Sequence, residues 1–231
     1  MRHQIHYKPA FAMAEIDLEP NETITVESGS MVAMTDNMQI KTVMGNTKAG
    51  FFGKLFGFFG ALIRKMLGGE SFWVNQYTPS GAAGKLFVAP AMAGDILHRQ
   101  LAAGETLIVE ASSYLACTPG VEIKTVWGGL RSLFSGEGAF WLRISGPGDV
   151  WLNCYGALRE IDVQGAYVVD TGHVVCFDVA LTYKIKGAGS LKSTLFSGEG
   201  LTMHFAGNGK LWIQTRNVDA LVKWLVPMLP A

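Results

Sequence analysis

Leu18 to Met34 reads LEPNETITVESGSMVAM, and Leu101 to Cys117 reads LAAGETLIVEASSYLAC. The two stretches align without a gap 83 positions apart, and Ile40-Lys41-Thr42-Val43 falls on Ile123-Lys124-Thr125-Val126 at the same spacing. Self-similarity at a fixed spacing marks a repeated structural unit. Leu133 to Gly138 recurs identically as Leu195 to Gly200, and Gly146-Pro147-Gly148-Asp149-Val150-Trp151-Leu152 is matched by Gly207-Asn208-Gly209-Lys210-Leu211-Trp212-Ile213. A third copy therefore begins near Ile161, with Val169 to Val175 placed over Leu101 to Leu107. The first copy supplies Gly69-Glu70-Ser71-Phe72-Trp73 and Gly84-Lys85-Leu86-Phe87-Val88. The units span 1 to 90, 91 to 160 and 161 to 231.

Within the units, Thr23 to Val26, Thr106 to Val109 and His173 to Phe177 are short, rich in β-branched residues and bounded by Gly, Asn or Asp, so they read as strands. The segments around Gly146-Pro147-Gly148 and Asn208-Gly209 read as hairpin turns. The strand after each turn carries Phe87, Trp151 or Trp212 at the equivalent place. The expected fold is all-β: three small β-sandwich or β-roll units with pseudo-threefold symmetry. Each is too small to close a core alone, so one inseparable body is expected. Helix is expected in two places, an insertion in the first copy and the C-terminus. There Asn217 is the N-cap and Val218, Leu221, Val222 and Leu225 share a face that docks on the body, until Pro227 ends the helix.

The chain has 231 residues, of which 49% are hydrophobic and only 16% charged, with 28 glycines. Nineteen Lys and Arg balance nineteen Asp and Glu. That leaves no cationic excess to hold a polyanion, so DNA is excluded as a partner and RNA lacks electrostatic support. The three cysteines, Cys117, Cys154 and Cys176, have no metal-ligand spacing and suit a reducing compartment. Met1 to Ala10 lacks an apolar stretch, and no apolar run is long enough to span a bilayer. A cytoplasmic location, peripheral to the inner membrane if the insertion binds lipid, is expected.

Gly-Glu-x-Phe-Trp, Pro90 to Asp95, Gly104-Glu105-Thr106 leading to Leu115-Ala116-Cys117, and Tyr167 to Val174 follow one another in an order that resembles the altered inheritance of mitochondria (mitochondrial biogenesis) family, in its bacterial members. Val-Asp-Thr-Gly-His is the most specific part, and the resemblance covers essentially the whole chain. It implies a fold like that of the tryptophan RNA-binding attenuation protein (TRAP), repeated three times per chain and further assembled into trimers. It implies no enzyme activity, and it links mitochondrial members to organisation of the inner membrane.

Catalytic signatures are thin. Phosphate-loop, zinc-hydrolase, nucleophile-elbow and EF-hand motifs are missing, and Gly187-Ala188-Gly189 lacks the context of a dinucleotide loop. No cofactor, metal or catalytic residue is expected. His3 and His6 form at most a weak metal pair. Asp170, three residues before His173, could orient a general base, although the repeat equivalents of His173 on this alignment are Glu105 and Glu22. Glu70, Glu137 and Glu199 place one acid per unit beside glycine. They read as turn caps accepting backbone N–H groups, with a cation-binding carboxylate ring as the alternative.

The least ordinary segment is the insertion over residues 50–68. On a helix, Phe51, Phe52, Leu55, Phe56, Phe58, Phe59, Leu62, Ile63, Met66 and Leu67 fall within an arc of about 180°, opposite Lys54, Arg64 and Lys65. It is too short to span a membrane, and its apolar face needs cover: the oligomer, a membrane surface or a partner groove. The sequence thus points to a non-catalytic oligomeric β scaffold or binding module, a trimer in the favoured form. A small-ligand or RNA binder and an enzyme with a cleft unmarked by linear motifs are the alternatives.

Overall fold

The computed structural model describes residues 1–44, 73–127, 140–187 and 201–229. The insertion at 50–68 and the acids Glu70, Glu137 and Glu199 lie outside the described residues. Seventeen strands are described. The first seven are β1 (Arg2–His6), β2 (Met13–Leu18), β3 (Ile24–Glu27), β4 (Met31–Met34), β5 (Met38–Met44), β6 (Trp73–Pro79) and β7 (Gly84–Val88). Then come β8 (Ile96–Leu101), β9 (Thr106–Glu110), β10 (Tyr114–Cys117), β11 (Glu122–Trp127), β12 (Phe140–Ser145) and β13 (Gly148–Asn153). The last are β14 (Leu158–Asp170), β15 (Val174–Asp178), β16 (Thr182–Gly187) and β17 (Leu201–Gln214), before the helix α1 (Val218–Leu225).

They form antiparallel sheets ordered β1-β2-β7-β4, β5-β6-β3-β10-β13-β8 and β11-β12-β9-β15-β17-β14, with β16 also on β17. The expectation of an all-β chain with a short C-terminal helix is met. Strands that face one core alternate: Ala14, Ile16 and Leu18 of β2 are buried and the residues between them are not. Strands at the centre of a sheet, such as β10, are buried at every position and read as continuous apolar runs. Apolar clusters fill the space between the first two sheets, around Ile16, Leu86 and Trp151, and between the second and third, around Val109, Ile144 and Leu152. A third cluster, around Phe177, Met203 and Phe205, lies within the last sheet.

The first two copies have the same strand order and the same pairings, β2-β7-β4 and β5-β6-β3 in the one, β8-β13-β10 and β11-β12-β9 in the other. Glu22 accepts from the backbone N–H of Glu19 at 2.9 Å, and Glu105 accepts from that of Ala102 at 3.0 Å, the same cap at matched positions. In the third copy the phase differs from the sequence expectation. Asp170 matches Glu110: each ends a strand, caps the 3-10 turn that follows and accepts from a backbone N–H two residues on. Counted from these caps, His173 falls on Ser113 and Ser30, and Glu105 and Glu22 are not its equivalents. Both turns of the unit present small and polar residues before an apolar strand, so either could accept the Asp-Thr-Gly-His match.

The shift in phase has a structural cause. In the third copy β14 runs through the place where the first two copies turn, and β17 runs through the place of a second turn. Gly165 and Gly207 sit opposite each other in this long ladder with φ of 95° and 120°. They bend the two strands where other residues would be strained. Asn208-Gly209 is therefore strand and not a hairpin turn. Gly146-Pro147-Gly148 is no hairpin either, because β12 and β13, which it joins, belong to different sheets. A residue-level signature common to all copies is a bulge: register slips between Met31 and Ala33, between Tyr114 and Ala116, and between Val174 and Cys176.

Candidate functional site

Phe87, Trp151 and Trp212 occupy equivalent places, as the sequence indicates, and each lies across its ladder from an ionisable residue: Glu15, His98 and Glu160. Two positions earlier on the aromatic's strand stands a partner for that residue. Lys85 pairs with Glu15, Asp149 with His98 at 2.8 Å and Lys210 with Glu160. Lysine, and for Glu15 also His6, holds the two glutamates below the usual carboxylate range, and the same bonds raise the two lysines. The Trp212 indole donates to Glu160 at 3.0 Å and lies under the Arg99 guanidinium. Trp151 has no such partner: its indole N–H is buried and finds no acceptor among the described residues.

These clusters are closed by their own counter-ions. The His3 ring lies tilted against that of His98 with centroids 4.0 Å apart, and burial first, then His98, lowers the pKa of His3. His6 bonds to Glu15 instead, at 2.7 Å. The two N-terminal histidines thus belong to an ordered edge strand with different partners, not to a metal pair. Among the described residues no group of three or more His, Cys, Asp or Glu side chains is placed to hold a metal ion.

A cleft of about 640 Å³ lies between α1 and the body, lined by Tyr155, His173, Arg216, Asn217 and Trp224 among others. His173 Nδ1 lies 2.8 Å from the Gln214 carbonyl, which can only accept, so this nitrogen carries the proton. Asn217 then donates its amide N–H to Nε2 at 3.2 Å, while its Oδ1 caps α1 by accepting from Ala220. Asp170 accepts from the Gly172 N–H and does not orient the imidazole. The sequence pair Asp170 and His173 is brought close, but both ring nitrogens are spent on backbone and cap. This arrangement latches the start of α1 to the third copy.

Beyond its cap the helix does not dock as expected. None of its residues is buried, and Val222, Trp224, Leu225, Val226, Met228 and Leu229 are exposed. A second apolar exposure lies on the two outermost strand edges. Met31 and Val32 of β4 are exposed, as are Tyr167 and Val168 in the C-terminal half of β14. Sequence reasoning missed these residues, since their apolar pattern is that of interior strands. The insertion residues Phe51, Phe52, Lys54, Leu55, Phe56, Phe58, Phe59, Leu62, Ile63, Arg64 and Lys65 lie outside the described residues, as do the repeated acids, which sit in the connections β5–β6, β11–β12 and β16–β17. No described helix is long and apolar enough to cross a membrane.

Comparison with known proteins places this geometry. An uncharacterised protein of Streptococcus pyogenes serotype M6 is 30% identical over 233 residues, covering 100% of this chain and 92% of that protein. An X-ray structure of a Streptococcus pyogenes protein, 28% identical, matches with a TM-score of 0.77 over 99% of each chain. Residues 3–216 match the family described as mitochondrial biogenesis AIM24. With nearly its whole length matched in this way, the chain belongs to the AIM24 mitochondrial biogenesis family.

Proposed function

We propose that this chain is a non-catalytic, homo-oligomeric β scaffold of the cytoplasm that meets a membrane surface through the segment 50–68. The observation that supports it is the apolar surface left open at the strand edges and along α1, which is poorly suited to an isolated monomer. The finer architecture we propose is three units of the attenuation-protein type, set in series. Ladders join the first unit to the second and the second to the third. Among the described residues the third is not laddered to the first, so the pseudo-threefold relation stays open within one chain. A trimer is the proposed state. The cationic face of 50–68 gives the scaffold its lipid contact: apolar side chains insert, and Lys54, Arg64 and Lys65 each add about 1 kcal/mol near an anionic surface.

The test combines light scattering with vesicle sedimentation. The wild type should weigh three times 25.0 kDa and co-sediment with anionic vesicles. Phe52→Asp with Phe59→Asp should abolish sedimentation and leave the mass unchanged. A wild type that ignores vesicles removes the membrane role, and a wild type of 25.0 kDa at every concentration removes the scaffold.

A further inference from the structure

Every unit turns its chain the same way, and this gives the molecule two unlike ends. β3 and β10 are antiparallel with Val26 opposite Ala116, and β9 and β15 with Val109 opposite Cys176. The turns 28–30, Ala111–Ser113 and Thr171–His173 therefore gather at one end. The leads into β2, β8 and β14 run side by side there. The Ala12 N–H donates to the Gly94 carbonyl at 2.9 Å, Gly156 to Ala93 at 2.9 Å, and Arg216, at the root of α1, to Tyr155 at 3.2 Å. The β1–β2 turn lies at the same end, where His6 faces Met13, and so do Met44 and Trp73, between which the chain carries residues 50–68.

The chemistry of the two ends differs. At this one Tyr7 is 70% exposed, Phe11 72% and Trp73 43%. Val218, Val222 and Leu225, at i, i+4 and i+7, make an exposed stripe along α1, and Trp224 and Met228 are each 61% exposed. Arg216 and Lys223 form no ion pair among the described residues. Asp95 is held by Lys8 at 3.3 Å, and Glu27, Glu110 and Asp170 accept from groups in their own turns, which leaves Asp219 of α1 against the two cations. The opposite end carries Glu19, Glu22, Asp36 and Glu105 in its turns and Asp178 at the close of β15. Among the described residues Val179 is the one large apolar side chain exposed in those turns.

We infer that an anionic lipid surface covers the aromatic end. α1 lies in the plane of the bilayer, its stripe, Trp224 and Met228 enter the headgroup–acyl boundary, and Tyr7 and Phe11 dip in beside it. Arg216 and Lys223 meet lipid phosphates, and the carboxylates of the far end orient the molecule with that end away from the negative surface. A helix this short would not form alone. The hold of Asn217 on His173 presets it, so little ordering is left for the membrane to supply. The inference rests on the membrane reading above and adds to the segment 50–68 a contact built from described residues.

Met228→Cys labelled with an environment-sensitive fluorophore reads this contact, the native cysteines being buried. Vesicles of equal parts phosphatidylcholine and phosphatidylglycerol should shift its emission to the blue, brominated lipid should quench it, and pure phosphatidylcholine should do neither. The same label on Ala82→Cys, in the β6–β7 turn of the opposite end, should not respond. Unlabelled Trp224→Asp/Met228→Asp, at two open positions, should keep the circular dichroism spectrum and lower vesicle partitioning roughly tenfold. A wild type that ignores vesicles would defeat the membrane reading and this inference with it. A wild type that sediments with vesicles, beside a silent label at position 228 and an α1 variant that binds equally well, would defeat this inference alone. A blue shift that grows with protein concentration in the absence of lipid would make a second copy the occupant and overturn it too.

Discussion

Gly94 is where the first copy is tied to the second, and replacing it by alanine should cost more than replacing the open turn glycine Gly81. It is buried and bridges in parallel to Gly156. Its carbonyl accepts from the N–H of Ala12 in the first copy at 2.9 Å. Its neighbours complete the knot: Gly156 donates to Ala93 at 2.9 Å, and Asp95 donates to Gly156 at 3.0 Å. A β-carbon on residue 94 would sit 1.8 Å from the Cys154 carbonyl oxygen, with backbone atoms of Cys154 and Gly156 under 3 Å away. Nothing there is a flexible side-chain end that could swing aside, so the strand leads must part. Overpacking costs about 1–3 kcal/mol, and each buried hydrogen bond broken adds about 1 kcal/mol or more. The sum, about 3–5 kcal/mol, is a large share of a typical domain's stability of about 5–15 kcal/mol. Gly81→Ala is the control: its φ is 80° and a β-carbon there meets nothing within 4 Å, so it should lose only the left-handed penalty of about 1–2 kcal/mol. Urea unfolding at one fixed protein concentration reads both. If Gly94→Ala loses no more than Gly81→Ala, the knot does not hold the copies together and the reasoning fails.

Trp212→Phe should cost about 1–2 kcal/mol more than Trp151→Phe by denaturant unfolding, because only Trp212 gives up a hydrogen bond, to Glu160, while Trp151 sheds a buried N–H with no acceptor among the described residues. On the alkaline side stability should fall between pH 9 and about 11. Burial raises Cys117 and Cys154 to about 11 and Cys176 further, so the folded state keeps thiols that the unfolded chain ionises. With folded pKa values above the unfolded ones, this stability is whole below pH 9 and lost on the way up, by roughly 1.4 kcal/mol per pH unit for each cysteine. Cys117→Ala should flatten that part of the melting-temperature profile, and a profile as steep as wild type would refute the assignment.

Strand identity was legible wherever one face of a strand is buried, because alternation then shows in the residues: Ala14, Ile16 and Leu18 point in, and Glu15 and Asp17 point out to Lys85. The cap residues were legible too, since Asn217 could do little else before an apolar run. The third copy was harder. Its fused strands have no turn to anchor an alignment, and Gly165 and Gly207 bend the chain where glycine usually reverses it. The ion pairs around Phe87, Trp151 and Trp212 were hidden for a different reason. They join residues on neighbouring strands, and only the ladder register brings those residues face to face.

The open edges show where sequence pattern and topology diverge. Met31-Val32-Ala33-Met34 is as apolar as Tyr114-Leu115-Ala116-Cys117, carries the same bulge and pairs with its own sheet in the same way. By pattern both are interior strands, yet every residue of the second is buried and none of the first. Burial is a property of the neighbour, and among the described residues the first unit lacks the preceding unit that covers the same strand in the second and third. An edge strand that meets only water is ordinarily short, charged or bent away, because an apolar one invites aggregation. β4 carries no charge, and neither do Ala166 to Val169 of β14. The chain keeps at both of these edges the composition of a covered strand.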